Sequence, residues 1–397
     1  MSDFAATKAM FHLPEGMIYL DGNSLGPLPK TAAARVERTV TAEWGEKVIT
    51  GWNRAGWMAQ PTELGDRIGR LIGAEPGHVV LGDTLSIKVY QALAAAIDLV
   101  PERKVILTDN GNFPSDIYMA EGLIKSLGRG HELRVVDPED VVNHIDDNLA
   151  VLMLTQVDYR TGRLHDMQSL TAKAQAAGAI TCWDLAHTAG AIPVDLQGCN
   201  ADFAVGCPYK YLNAGPGAPA FIYVAPRHIA TCQPALSGWL GHEAPFAFDL
   251  DYRPGTGIER MRVGTPPVLQ MAALDASLDI WDQVDMDALR AASIALTEQF
   301  IAGIEARCPM LTLASPRDPH QRGSQVSFAF AHGYAAMQAC IAHNVVGDFR
   351  APDIMRFGFC PLFIDASDVD AAVDVIADVM GNALWDDPVY KHVSRVT

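Results

Sequence analysis

Positions 207–217 of the chain read Cys-Pro-Tyr-Lys-Tyr-Leu-Asn-Ala-Gly-Pro-Gly. They place Lys210 between Tyr209 and Tyr211, in a segment with no other charged side chain. A buried lysine is costly unless it is paired or neutral, and a neutral amine is a nucleophile. The glycines allow a tight turn in which backbone comes close to a ligand. The pattern favours Lys210 as a reactive amine over an ordinary surface lysine.

A second feature lies upstream, where the apolar residues 179–183 end at Asp184. Such a run is typical of a buried parallel strand, and open α/β sheets bind ligands at the carboxyl ends of their strands. An amine that can form an imine and an acid that can pair with a ring nitrogen are what pyridoxal phosphate requires. We expect His187 to lie near this cofactor. A loop acid followed by a capping histidine is the structural alternative.

Seven strand-like runs alternate with helix-like stretches through the middle of the chain. The runs are residues 79–81, 104–108, 132–136, 149–155, 179–184, 203–206 and 220–224, and the helical stretches include 87–99, 116–127 and 170–177. This rhythm predicts an α/β fold with a mostly parallel sheet covered on both faces. Residues 266–307 are predicted to hold one long helix and a second after Asp285. Strand-like and helical runs from residue 325 onward predict a smaller α+β domain at the C-terminal end.

Composition restricts the class of protein. The 397 residues suffice for two domains, and 49% apolar with 19% charged residues is typical of a globular chain. The net charge of −17, without lysine or arginine clusters, argues against nucleic-acid binding. No apolar run approaches the roughly 20 residues that span a membrane. Residues 1–10 carry no export signal pattern.

The cysteines give information about compartment and metal binding. The seven cysteines are scattered and form no C-x-x-C pair. They therefore predict neither a metal site nor a disulfide framework, and a reducing cytoplasm is expected.

Three further segments carry candidate site residues. In Phe-Pro-Ser-Asp at 113–116, Phe113 could stack on a planar cofactor, while Asp116 is equally explained as a helix N-cap. Asp-Thr-Leu-Ser at 83–86 opens a predicted helix, whose free amides could bind phosphate, although capping alone would explain it. Arg356 lies in an apolar run, so it is predicted to bind either a substrate carboxylate or an internal acid.

Segments in the same order along the chain resemble one enzyme family. They are Leu-Asp-Gly-Asn-Ser-Leu-Gly at 20–26, the tryptophan-rich residues 44–57, Phe-Pro-Ser-Asp at 113–116, Asp-Leu-Ala-His at 184–187, Tyr-Lys-Tyr-Leu-Asn-Ala-Gly at 209–215 and Pro-Leu-Phe at 361–363. The ordered set resembles kynureninase, a family of fold-type I pyridoxal phosphate enzymes close to the class V aminotransferases. The resemblance implies hydrolysis of L-kynurenine to anthranilate and L-alanine, by cleavage of the β–γ carbon bond, in tryptophan catabolism. It leaves 3-hydroxy-L-kynurenine open as a second substrate.

The resemblance also implies a role for each matching residue. Lys210 would hold the cofactor as an imine, Asp184 would pair with its ring nitrogen, and Tyr209 would bind the phosphate. From its phenol chemistry, Tyr209 is also the candidate proton-transfer group. The other expected cofactor-binding residues are Leu85, Ser86, Phe113, Asp116, Thr155, His187, Trp239 and Thr265. The expected substrate-binding residues are Arg356, Asn23, Ser24 and Trp52. A homodimer is implied, with the active site at the subunit interface and with Trp239 and Thr265 reaching across it.

Domain limits and competing functions complete the expectations. Residues 1–40 are expected to pack with the small domain, 41–275 to form the large cofactor-binding domain, and 276–397 to form a linking helix and the small domain. The first alternative is a cysteine desulfurase or another lyase of the same fold, which needs a reactive cysteine on a flexible loop. Cys340 lies in a predicted helix and Cys360 in an apolar run, so neither suits that role. The second, a non-catalytic cofactor-binding protein, would be expected to lack Lys210, Asp184 or Arg356.

Overall fold

The structure is a computed structural model that describes residues 3–392. Its strands are β1 (Phe11–His12), β2 (Ile18–Tyr19), β3 (Leu28–Pro29), β4 (Val79–Leu81), β5 (Val105–Asp109), β6 (Glu132–Val136), β7 (Leu149–Thr155), β8 (Ile180–Asp184), β9 (Phe203–Gly206), β10 (Phe221–Val224), β11 (Thr312–Leu313), β12 (Gln325–Ala329), β13 (Val345–Val346), β14 (Asp348–Arg350) and β15 (Ile354–Gly358). Its α-helices are α1 (Ala32–Arg38), α2 (Gly51–Arg54), α3 (Gln60–Leu71), α4 (Leu85–Leu99), α5 (Pro114–Leu127), α6 (Met167–Ala176), α7 (Val268–Trp281), α8 (Met286–Arg307), α9 (Gly333–Ala342) and α10 (Ala366–Gly381).

The large sheet has seven strands in the order β4-β10-β9-β8-β7-β5-β6. Only β10 runs antiparallel to its neighbours within this sheet, so the predicted mostly parallel sheet is confirmed. Alternate residues of each strand enter different cores because side chains alternate across a sheet. On β8, Trp183 packs into one core, whereas Ile180 and Cys182 pack into the other with residues of α4 and α5. Burial on both faces explains why these strands are continuous apolar runs.

A smaller antiparallel sheet, in the order β11-β12-β15-β14, forms the C-terminal part of the chain. The N-terminal segment contacts this part of the chain, since β2 pairs in parallel with β13 in a separate two-stranded sheet and Asp21 forms a bridge with Gly358 of β15. The hydroxyl of Thr7 also donates to the carbonyl of Leu362 at 2.7 Å. These contacts agree with the expected packing of residues 1–40, while the domain limits themselves stay a prediction.

Helix α5 begins earlier than the sequence predicts. It starts at Pro114, because proline suits the first turn of a helix, and Phe113 takes the extended conformation just before it. Asp116 therefore lies in the first turn, only 1% exposed, and is not an N-cap. Across residues 3–392, no helix has both the length and the hydrophobicity needed to cross a membrane.

Candidate active site

Strands β7 and β8 bring the acid of the site to the edge of the sheet. Thr155 and Asp184 are paired in register at the ends of these two strands. Both are buried, and the amide of Ala186 donates to Asp184 Oδ1 at 2.8 Å. The amide of Gln156 donates to the carbonyl of Asp184 at 3.0 Å. Asp184 thus has a fixed position at the carboxyl edge, where the sequence placed it.

Lys210 lies beyond β9 at the same edge. Its Nζ is 2.9 Å from His187 Nε2. The same atom lies 5.9 Å from the ring centroid of Phe113 and 5.9 Å from that of Tyr209. The structure therefore brings together four residues that the sequence predicted to share one site.

His187 is held in its neutral form. Burial lowers its pKa well below the usual value, and the charges of Lys210, Arg356 and Arg350 lower it further. A neutral imidazole can accept a hydrogen bond from the lysine at Nε2. Its Nδ1 is buried and has no hydrogen-bond partner among residues 3–392.

Asp116 and Asp184 form a buried pair of carboxyl groups. Burial raises the pKa of Asp116 well above its usual value, and the adjacent charge of Asp184 raises it further. Burial also raises the pKa of Asp184, but the charge of Lys210, the amide of Ala186 and the hydrogen bond with Asp116 all oppose that rise. Asp116 consequently carries the proton, and Asp184 is the group that ionises when a cation is placed beside it.

This pair fits the cofactor that the sequence predicts. A protonated ring nitrogen of pyridoxal phosphate would supply the cation for Asp184. Asp116 Oδ2 is buried and accepts no hydrogen bond from the described residues, so a polar position is open. The ring of Phe113 is 41% exposed and offers a flat face beside Lys210. The residues present therefore suit an aromatic cation bearing an aldehyde.

Two helix N-termini meet at the other end of this site. Ser86, in the first turn of α4, lies 2.9 Å from the hydroxyl of Ser115, in the first turn of α5. Unpaired amides and the helix dipole make such ends favourable for phosphate. Leu85 is the first residue of α4. Ser115 was not predicted as a site residue, although it belongs to the motif that contains Phe113.

The phenol of Tyr209 keeps its proton at neutral pH. The charge of Cys207 and burial both raise the pKa of its phenol. Burial in turn raises the pKa of Cys207 to about 11. A phenol whose pKa lies above its usual value of about 10 keeps its proton at pH 7.

Arg356 already has an internal partner. It faces Asp348 across the β14–β15 pair, and its Nε donates to Asp348 Oδ1 at 2.7 Å. Its Nη2 also contacts Asp348 Oδ2 and donates to Ser24 Oγ at 2.7 Å. Its Nη1 donates to the carbonyl of Tyr159 at 2.5 Å. The internal acid predicted as one alternative is therefore present, and the arginine is 1% exposed.

The loop that carries Asn23 and Ser24 packs onto the lysine turn. The amide of Gly26 donates to the carbonyl of Tyr209 at 2.8 Å. A Cβ atom on Gly26 would lie 2.3 Å from the carbonyl oxygen of Lys210, so only glycine fits there. Asn23 is fully buried, and neither its amide nitrogen nor its oxygen has a hydrogen-bond partner among residues 3–392.

Three other predicted residues have the following neighbours within the described part of the chain. Trp52 packs edge-on against Trp57, with ring centroids 6.1 Å apart. Trp239 is 41% exposed and contacts Phe246 at 5.8 Å. Thr265 lines a cavity of about 280 Å³ together with Asp83, Thr84 and Arg262. The expected reach of Trp239 and Thr265 across a subunit interface stays a prediction.

Comparison with known proteins assigns the chain to a family. A model described as the kynureninase C-terminal domain matches residues 289–376. A kynureninase from Burkholderia pseudomallei (strain 1106a) is 49% identical over 400 residues, which cover 99% of this chain and 96% of the relative. The chain belongs to the kynureninase family. A second member, from Pseudomonas fluorescens, is 47% identical over 388 residues, covering 96% of this chain and 93% of its own length.

Solved structures of low sequence identity share the kynureninase-family fold seen in this chain. A cysteine desulfurase from Thermococcus onnurineus NA1 superposes with a TM-score of 0.79 at 17% identity, covering 95% of this chain and 98% of its own. A cysteine desulfurase from Escherichia coli gives 0.80 at 18% identity, covering 96% and 99%. A C-DES variant with glycine covalently linked to the PLP cofactor gives 0.81 at 17% identity, covering 94% and 99%. The predicted fold-type I architecture is confirmed.

The cysteines of this kynureninase-family chain are poor nucleophiles. Burial raises the pKa of Cys340 to about 12 and that of Cys360 to about 12. Both are fully buried, Cys340 inside α9 and Cys360 just after β15. A thiol must be deprotonated and accessible to attack a substrate, so neither suits desulfurase chemistry.

Proposed function

We propose that the protein hydrolyses L-kynurenine to anthranilate and L-alanine with pyridoxal phosphate as cofactor, a step of tryptophan catabolism. The observation that carries this proposal is the identity of 49% with a kynureninase over 99% of the chain. The amine of Lys210, the buried carboxyl pair and the guanidinium group of Arg356 supply the groups that this reaction needs.

When bound, pyridoxal phosphate supplies an electron sink that stabilises negative charge on the substrate carbons next to its amine. Lys210 would hold the cofactor through its aldehyde, and Asp184 would pair with the ring nitrogen while Asp116 keeps its proton. Phe113 would cover one face of the ring. The remaining proposed cofactor contacts are Leu85, Ser86, Thr155, His187, Tyr209, Trp239 and Thr265.

The chain's own groups account for the proton transfers. The amine of Lys210, once released, takes the proton from the substrate α-carbon, and the neutral His187 beside it adds no competing positive charge. Arg356 and Ser24 fix the carboxylate end, and so choose which bond of the α-carbon is aligned for cleavage. Water adds to the γ-carbonyl and the β–γ bond breaks, so that the aryl acid leaves as anthranilate. Tyr209 is our candidate for giving a proton to the β-carbon that remains with the alanine portion.

The direct test is incubation of the cofactor-loaded protein with L-kynurenine. We expect anthranilate and alanine in equal amounts, anthranilate being followed by its fluorescence. Release of sulfide from cysteine without release of anthranilate would overturn the proposal in favour of a desulfurase. A parallel assay on 3-hydroxy-L-kynurenine decides between the two aryl substrates, for which Trp52 and Thr265 are the proposed selecting residues.

We further propose a cytoplasmic homodimer. All seven cysteines lie within the described residues and are unpaired, as expected in a reducing compartment. Exposed apolar side chains such as Ile49, Phe248 and Leu250 offer surface that a second copy would cover. Sedimentation velocity tests the assembly.

A further inference from the structure

Helix α4 carries a buried lysine that the proposed reaction does not use. Lys88 lies one turn after Thr84, and its side chain is fully buried. A lysine is rarely buried completely, because its ammonium group must then be paired or lose its proton. Burial lowers the pKa of Lys88 to about 8, although the charge of Asp83 opposes the fall. The group therefore keeps its proton at pH 7, and its partners have to compensate the buried charge.

The ammonium group of Lys88 has one acceptor for each of its three N–H groups. Its Nζ donates to Gln91 Oε1 at 2.9 Å and to the carbonyl of Met261 at 3.2 Å. It also lies 3.6 Å from Asp83 Oδ2. Gln91 Nε2 donates to the same carbonyl of Met261 at 3.3 Å. One backbone carbonyl thus accepts two hydrogen bonds from α4, and the one from the lysine is charge-assisted.

Met261 connects α4 to the segments that carry Thr265 and Trp239. Met261 is the last residue of a short helix, and Thr265 lies four residues later in the chain. Between them, the carbonyl of Val263 accepts a hydrogen bond from the amide of Leu240 at 3.2 Å. Leu240 directly follows Trp239. The two segments are therefore joined by their backbones, and the contact at Met261 joins both of them to α4.

The lysine lies just behind the wall of a cavity at the start of α4. This cavity of about 280 Å³ is lined by residues from both sides of the contact, among them Thr84 and Thr265. Gly82 also lines it, and a Cβ atom on Gly82 would lie 3.7 Å from Lys88 Nζ. The N-cap residue Thr84 makes no side-chain hydrogen bond to the helix amides, which stay available to a phosphate.

We propose that Lys88 is a positioning residue for the phosphate end of the cofactor. Through the carbonyl of Met261 it holds the segments of Trp239 and Thr265 in a fixed place relative to the N-terminus of α4. The assignment rests on the proposed function, which takes Ser86, Trp239 and Thr265 as cofactor contacts. In the proposed dimer, this placement determines how Trp239 and Thr265 reach the phosphate of the partner's site.

Equilibrium dialysis of the full-length protein, loaded with pyridoxal phosphate, tests the role of Lys88. Lys88→Met keeps an unbranched side chain in the buried position but removes its three N–H groups. We expect the Kd of pyridoxal phosphate to rise about 10-fold, as when a hydrogen bond from a charged group is lost. Pyridoxal lacks the phosphate, so its Kd should be the same in wild type and Lys88→Met.

Two further variants separate the backbone contact from the charge of the lysine. Gln91→Met removes the second donor to Met261 and leaves the charge of Lys88 in place, so a smaller rise in the Kd of pyridoxal phosphate is expected. Lys125→Met removes an exposed lysine from the last turn of α5 and should leave that Kd unchanged.

Three results would overturn the proposal. They are wild-type affinity of Lys88→Met for pyridoxal phosphate, an equal loss of affinity for pyridoxal, and an unchanged Kd in Gln91→Met. Circular dichroism verifies that each variant is folded, and Gln91→Met decides alone if Lys88→Met does not fold. Failure of the wild-type protein to form anthranilate would instead overturn the proposed function.

Discussion

The reactivity of Lys210 depends on which groups surround its amine. Its hydrogen-bond partner is the imidazole of His187, which burial keeps neutral. The charge of the lysine also acts on the buried carboxyl groups of Asp116 and Asp184, of which Asp116 holds the proton. The lysine is thus placed beside a group that can accept its hydrogen bond without fixing it as a permanent ion pair. This environment suits an amine that must exchange protons during each turnover.

Lys210→Ala is the first test at this scale. The change removes both the group that holds the cofactor and the proposed base at the α-carbon. We expect turnover to fall at least about 100-fold, the lower range for a positioned acid–base group. Borohydride reduction of the wild-type protein, followed by peptide mapping, should label residue 210. A label on another lysine would contradict the assignment.

Asp21 gives a pH-dependent prediction at the same scale. Burial and the charge of Asp348 raise its pKa to about 8, although Arg356 and Ser24 lower it. The other ionisable groups that interact with Asp21 are Tyr19, Tyr211 and Arg350. Below pH 8 Asp21 is neutral, and Arg350, Arg356 and Asp348 together carry one positive charge. Above pH 8 the carboxylate of Asp21 cancels that charge.

We therefore expect the KM for L-kynurenine to rise as the pH passes through about 8. Asp21→Asn keeps the side chain neutral at every pH, so this rise should disappear in the variant. Steady-state kinetics from pH 6.5 to about 9 would measure it, with kcat and KM determined separately at each pH. The same KM profile in both proteins would rule out Asp21 as the titrating group.

Among the elements, the loop between β2 and β3 fixes the lysine turn from outside. Gly26→Ala would push a Cβ atom against the carbonyl of Lys210 at 2.3 Å and against Asn213 Nδ2 at 2.6 Å. We expect a loss of about 1–3 kcal/mol in the free energy of unfolding, typical of an overpacked site, together with lower turnover. Urea unfolding measures the first effect.

A matched control exists for this substitution. Gly122 lies on the exposed side of α5, and a Cβ atom there would meet nothing within 4 Å. Gly122→Ala should therefore raise the free energy of unfolding by about 0.5–1 kcal/mol, because alanine suits a helix better than glycine. Equal effects of the two substitutions would show that the loop contact does not constrain the turn.

Elements with continuous apolar runs were the most predictable from sequence. All seven strands of the large sheet lie within one residue of the predicted runs. Six of them are fully buried and mostly apolar, whereas β6 lies at the edge of the sheet and is partly exposed. Helix starts were less predictable: α5 begins at Pro114 and α4 at Leu85, each two residues before the expected first residue. Neither helix has a side-chain hydrogen bond from its N-cap residue, so no capping signal in the sequence marks the actual first residue.

The site was predictable where its residues share a motif and unpredictable where strand pairing creates it. Four site residues come after the carboxyl ends of parallel strands or at them, so the sheet itself brings them to one edge; they are Phe113, Asp184, His187 and Lys210. Asp348 and Arg350 gave no comparable signal, because their meeting with Ser24 joins segments about 325 residues apart in sequence. The alternation Asp-Phe-Arg was the one available hint, since it places both charges on one face.

At the scale of the whole molecule, the described chain leaves apolar surface uncovered. Phe248 is 76% exposed, and the rings of Phe246 and Phe248 lie 6.3 Å apart in the loop that also carries Trp239. Ile49, in the segment with three tryptophans, is 73% exposed. Apolar patches of this kind mark association surfaces. A chain with a net charge of −17 must overcome mutual repulsion to pair, so moderate salt should favour the dimer.

Subunit complementation tests whether Trp239 acts across the proposed interface. Lys210→Ala and Trp239→Ala are each expected to have low activity. If Trp239 completes the partner's site, a mixed dimer has one doubly defective site and one intact site. Random mixing makes half of the dimers mixed, so about a quarter of wild-type activity should return.

The control mixture contains Lys210→Ala and Arg356→Ala. Both residues belong to the site of one chain, because Arg356 contacts Tyr159, the ring of Tyr159 contacts that of Phe113, and this ring lies beside Lys210. Every site of a mixed dimer is then defective, so no activity should return. Absence of recovery in the first mixture, with mixed dimers verified by mass spectrometry, would place Trp239 in its own subunit's site.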